Sequence, residues 1–161
     1  ISNNYTVIIK VLLLVGVSIF LVITREHTQQ HFSERFEFII LLALSVFALL
    51  LLVSSHDLIT FYLSIEMQSL CLYVLAAFKR TSRLSTEAGL KYFILGALSS
   101  SLLLFGMSMI YGFTGSTNFN VITKYILSIE TVENTPYTFT LGIILLLCGL
   151  LFKLTAVPFH I

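Results

Sequence analysis

Apolar residues in this chain come in long, nearly unbroken runs. Tyr5 to Ile23, Phe36 to Val53, Leu58 to Phe78, Gly89 to Tyr111 and Phe139 to Pro158 are five such runs, each roughly 18 to 23 residues long, the length that crosses about 30 Å of hydrocarbon at about 1.5 Å per residue. A core helix of a soluble domain would instead show one apolar stripe and one polar face. The pattern predicts an all-α protein: a polytopic membrane bundle of about five transmembrane helices, with residues 1–161 forming one membrane domain or a fragment of one. No linker, repeat or low-complexity tract divides it.

Composition agrees. Hydrophobic residues make up 57% of the 161 and charged residues only 11%, against about a quarter in a soluble domain. The net charge of +1 gives no reason to expect nucleic acid as a partner. Cys71 and Cys148 both lie inside apolar runs with no metal-ligand spacing, so they read as inert thiols. No phosphate loop, paired carboxylate or nucleophile–histidine arrangement appears, so no cofactor or metal is expected in this chain. The first apolar run has full span length and no small-residue cleavage pattern after it, and so does not read as a cleavable signal.

The connections set the orientation. Thr24 to Arg35 carries Arg25 and Arg35, and Lys79 to Glu87 carries Lys79, Arg80 and Arg83. Ser54 to Asp57 is a tight turn, and the long Gly112 to Thr138 connection has Lys124 as its one basic residue. Helices alternate direction, so the first and third connections share a side. The excess of Lys and Arg puts that side in the matrix or cytoplasm. There is no Trp; Tyr5, Tyr62, Tyr111 and Tyr137 near span ends supply an aromatic belt.

Charges within the spans are the candidate chemistry. Glu66 lies eight residues past Leu58, about 12 Å along the helix and close to mid-membrane, where a carboxyl costs several kcal/mol unless it is paired, protonated or faces water. Tyr62, Glu66, Ser69 and Tyr73 recur at spacings of four, three and four, giving this helix a polar face that should turn inward. Glu66 either takes part in ion movement or, as a neutral acid, holds two helices together. Lys91 lies one turn inside the fourth span and either snorkels to the headgroups or joins such a site. Gly96 and Ser99 to Ser101 on the same helix suit close helix packing.

Lys153 falls fourteen residues past Phe139, about 21 Å into the last span. It shares a face with Gly142, Gly149 and Ala156, so it should point toward close-packed helices. Pro158 disfavours helix at Val157 and removes a backbone donor. A helix broken there would leave carbonyls that attract a cation. Snorkelling at the helix end is the other reading. His160 is either a proton carrier or polar flank, and Lys10, near the outer end of the first span, reads as snorkelling.

At these residues the chain resembles a known family. His56-Asp57-Leu58, with Ser64-Ile65-Glu66-Met67-Gln68-Ser69-Leu70, resembles a signature of the antiporter-like subunits of respiratory complex I. Ser85 to Ala97, Gly106 to Phe119 and Leu151 to His160 are similar to the NADH dehydrogenase subunit 2 family. The resemblance covers Leu51 to Ile161 and is to the N-terminal part of such a subunit. It departs at Cys71, where many members carry proline. It implies an antiporter-like inverted-repeat fold with a broken helix at the C-terminal end of this chain. It also implies a proton-translocating membrane-arm subunit of NADH:ubiquinone oxidoreductase without a redox centre of its own. Its partners would be other membrane-arm subunits, lipids, and a second chain or continuation that completes the bundle. By this resemblance Glu66 tunes a nearby lysine, Lys91 relays protons or pairs with Glu66, and Lys153 takes up and releases the proton. The expected location is the mitochondrial inner membrane, multi-pass, with the bacterial inner membrane as the alternative. Two other functions share these features: a subunit of a multisubunit sodium/proton antiporter, and a membrane scaffold whose charges only lock helices.

Overall fold

A computed structural model describes residues 4–31, 35–79, 81–128 and 136–154. Six helices account for nearly all of them: α1 Asn4–His31, α2 Arg35–Ser54, α3 Leu58–Ala76, α4 Arg83–Thr114, α5 Phe119–Ser128 and α6 Tyr137–Lys153. Four of these, α1 to α4, are long and apolar enough to cross a membrane, and α6 is a shorter apolar helix of 17 residues. Among the described residues there is no strand, only an isolated bridge between Asp57 and Asn118. Helix is what the hydrocarbon requires, because it satisfies every backbone donor within one segment.

The helices differ from the apolar runs at their ends. α1 continues past Ile23 to His31, since Arg25, Glu26, Gln29 and Gln30 are good helix formers even where they leave the hydrocarbon. α4 starts at Arg83, six residues before the run at Gly89. α6 ends at Lys153, and Pro158, with any helix break there, lies outside the described residues. Within the long fourth connection stands α5, which the hydropathy pattern does not resolve. Ten residues are too few to span a membrane, but Phe119, Ile122 and Tyr125 repeat every three residues and make one apolar face.

The residues cluster into two compact units, which divide α3 and α4 between them. In the first (residues 1–55 and 63–91), α1 packs on α2, yet none of the membrane stretch Asn4–Ile23 is buried. α2 buries a narrow stripe, Leu42, Ser45 and Ala48. The α3–α4 hairpin is closed by Gly89, where an added Cβ would stand 2.5 Å from Ala77 Cβ. Ser85 Oγ donates to the Ala76 carbonyl at 2.8 Å and so satisfies one of the orphan acceptors at the end of α3.

The second unit (residues 56–62 and 92–161) is built on Leu58, Leu103, Met107, Ile110, Ile122 and Phe139. The Phe139 ring meets Tyr125 at 5.5 Å and Phe113 at 6.3 Å, which docks α5 against α6 and α4. α4 and α6 touch through glycine. A Cβ on Gly106 would lie 2.6 Å from Leu146 N, and one on Gly149 would lie 2.8 Å from Leu103 Cβ and 3.0 Å from Ser99 O. Two backbone hydrogen bonds, Leu58 N to Thr117 O (2.9 Å) and Phe119 N to His56 O (3.1 Å), clasp the start of α3 to the α4–α5 turn. That turn reverses at Gly115 with φ 65°, a left-handed conformation that suits glycine.

Candidate functional site

α3 has two sides. Ile59, Leu63, Leu70 and Val74 are more than half exposed, while Leu58, Ile65, Ser69 and Tyr73 are buried. At about 100° per residue, Glu66 falls at the margin of the buried side, and its side chain is half-buried. The polar residues Tyr62, Ser69 and Tyr73 thus lie on the side turned away from the exposed apolar one. Ser69 Oγ shares its proton between the carbonyls of Ile65 (2.8 Å) and Glu66 (3.1 Å), so it is spent on the backbone. α3 runs unbroken through Cys71, the position without proline.

Lys91 is placed differently. Its Nζ lies 2.8 Å from Glu87 Oε1, with the two side chains 68% and 54% exposed. A glutamate four residues before a lysine is the favourable order for a helical pair, but at this exposure the pair adds little stability. Glu87 is a residue that the sequence reading left out of the site, although the spacing of four was legible.

Lys153 belongs to the second unit. It is the last residue of α6, half-buried, and the N–H of Leu154 folds back to the carbonyls of Leu150 and Phe152. A cation in the last turn complements the negative end of the helix dipole. Gly149, one turn earlier, is buried against α4, as is Gly142. His160 lies outside the described residues. Cys71 and Cys148 are free thiols.

The arrangement provides an ionisable carboxyl on a half-buried polar helix face and an amine at a helix C-terminus, groups suited to holding and passing protons. Residues 55–161 match the family described as NADH:quinone oxidoreductase/Mrp antiporter, TM. The chain is 48% identical to "NADH-quinone oxidoreductase subunit N 1" of Rhizobium meliloti (strain 1021), covering 99% of this chain and 32% of that protein. It is also 48% identical to "NADH-ubiquinone oxidoreductase chain 2" of Oenothera berteroana, over 98% of this chain and 32% of that protein. The chain thus spans about a third of the length of these curated relatives. Among solved structures, a chain of respiratory complex I from Thermus thermophilus with bound aureothin aligns with TM-score 0.64 and 36% identity, covering 80% of this chain and 27% of that one. A chain of the archaeal membrane-bound sulfane sulfur reductase aligns with TM-score 0.71 at 22% identity, covering 81% and 26%, a likeness of fold alone.

Proposed function

Because this chain belongs to the NADH:quinone oxidoreductase/Mrp antiporter transmembrane family, we propose that it is part of a proton-translocating membrane-arm subunit of NADH:ubiquinone oxidoreductase. Protons pass through Glu66, Lys91 and Lys153, driven by electron transfer in other subunits. The observation that carries this reading is the half-buried Glu66 at the edge of a polar face in an otherwise apolar helix. Such a carboxyl is costly in lipid and is retained where it has work to do. A lysine away from water holds its proton weakly, and an approaching carboxylate strengthens that hold. Glu66 would load and unload the lysine in this way, and Lys153 would carry the proton. Lys91, paired with Glu87, would exchange protons at the basic side. The chain itself carries no redox centre in this reading. Its partners are other membrane-arm subunits, together with the further two-thirds of the subunit that the relatives possess. The proposed location is the mitochondrial inner membrane, which subcellular fractionation tests against a bacterial inner membrane.

The test is proton uptake driven by NADH in reconstituted vesicles. Glu66→Gln is expected to lower pumping, and coupled turnover with it, more than Glu66→Asp. Lys153→Ala should impair pumping, and Lys153→Arg should not restore it, because arginine keeps its charge at any accessible pH. Near-normal pumping in all of these variants would leave the charges with a helix-locking role only. The family name also covers Mrp antiporters; transport that requires sodium and proceeds without NADH oxidation would select that reading.

A further inference from the structure

We propose that the tip of the α3–α4 hairpin binds the headgroup of an anionic phospholipid, with an acyl chain lying along an exposed apolar stripe of α3. Three basic residues, Lys79, Arg80 and Arg83, fall within one short stretch of the connection. Lys79 and Arg83 are exposed, and among the described residues neither has a carboxylate partner. The nearest acid in the sequence, Glu87, is held by Lys91 at 2.8 Å and does not offset their charge. The turn that presents them is fixed at several points. The Phe78 ring stands edge-on to Phe38 at 5.6 Å, Ser82 N donates to the Lys79 carbonyl at 3.0 Å, and Ser85 Oγ ties the start of α4 to the Ala76 carbonyl at the end of α3. Cations held on an ordered turn lose less entropy on binding than cations on a loose loop.

The apolar half of the surface is continuous with the basic half. Leu63, Leu70 and Val74 follow one another at spacings of seven and four, so they make one stripe along α3, and each is more than half exposed. Leu84, beside Arg83 in the first turn of α4, is 80% exposed. Such residues suit acyl chains. α3 ends at Ala76 and α4 opens at Arg83, so Lys79 and Arg83 stand where hydrocarbon gives way to headgroups. A Lys or Arg at that depth favours anionic lipid by about fivefold. A zwitterionic headgroup is the poorer fit, because its own ammonium offsets its phosphate. The Gly112 to Thr138 connection supplies the internal contrast, with Lys124 as its one basic residue.

The experiment places the whole complex in phosphatidylcholine nanodiscs that carry a trace of lipid with a photoreactive diazirine in its tail. The probe is either phosphatidylglycerol or phosphatidylcholine, and peptide mass spectrometry locates the label. The phosphatidylglycerol probe should label residues 63–84 at least about fivefold more than the phosphatidylcholine probe. Lys79→Gln combined with Arg83→Gln should abolish that preference, and Lys79→Arg combined with Arg83→Lys should keep it. Equal labelling by the two probes in the unaltered complex, or a preference that survives loss of both charges, overturns the proposal. Labelling of this stretch by neither probe would show that protein covers the face, and overturns it too. If the glutamine variant does not assemble, the unaltered complex in about 1 M salt takes its place, where exposed charges are screened beyond about 3 Å. The preference should then fall, and an undiminished one overturns the proposal.

Discussion

α1, α4 and α6 are all built of apolar sequence, yet this chain treats α1 and the α4–α6 pair oppositely. The membrane stretch of α1 buries none of its residues, whereas α4 and α6 press together until glycine is the one residue type that fits. Gly16 in α1 has nothing within 4 Å of an added Cβ; Gly106 in α4 has backbone atoms at 2.6 and 2.7 Å. Apolarity takes a helix into the bilayer, but it does not choose a neighbour, because lipid tails are as apolar as leucine. Close approach does, through the many small dispersion contacts of matched surfaces.

The largest effect should come from putting bulk into the tight crossing. Gly106→Val forces Cβ and two methyls into the Leu146 backbone, which cannot swing aside as a side-chain tip would. We expect a loss of about 3 kcal/mol or more, the upper range for overpacking, seen as little assembled complex on a native gel. Normal assembly would mean that α4 and α6 do not meet at this crossing.

A smaller effect is expected at Gly115, where the difficulty is conformation and not space. Its φ is 65° and an added Cβ would meet nothing within 4 Å, so Gly115→Ala should cost about 1 kcal/mol from the left-handed backbone alone. A thermal melt of the complex would show a modest fall, and a drop equal to that of Gly106→Val would reveal packing at the α4–α5 turn.

Gly16→Ala should do least, and in the stabilising direction if at all, since alanine is the better helix former by up to about 1 kcal/mol. The same melt measures it. A loss comparable with Gly106→Val would show that another chain packs against this face of α1.

The division between what was legible and what was not follows particular residues. Spans were readable because hydrocarbon thickness sets a minimum length of apolar sequence. The polar side of α3 was readable because a carboxyl, two tyrosines and a serine at helical spacing leave little choice of face. α5 was missed because ten amphipathic residues in a polar connection fall below the length of a span, although Phe119, Ile122 and Tyr125 carried the signal. The link of Lys91 to Glu87 is a local spacing overlooked in favour of a more distant carboxyl. The sequence by itself therefore determined the long apolar helices, their membrane setting and the ionisable groups they carry. Only the tertiary structure decided that Gly142 and Gly149 meet α4, that Ser99 stands opposite Gly149, and that α1 has no buried residue in its membrane stretch. The physical reason is that hydropathy records how far each residue avoids water. The pairing of two apolar helices depends instead on the shapes of both surfaces, and neither sequence segment contains the other's shape.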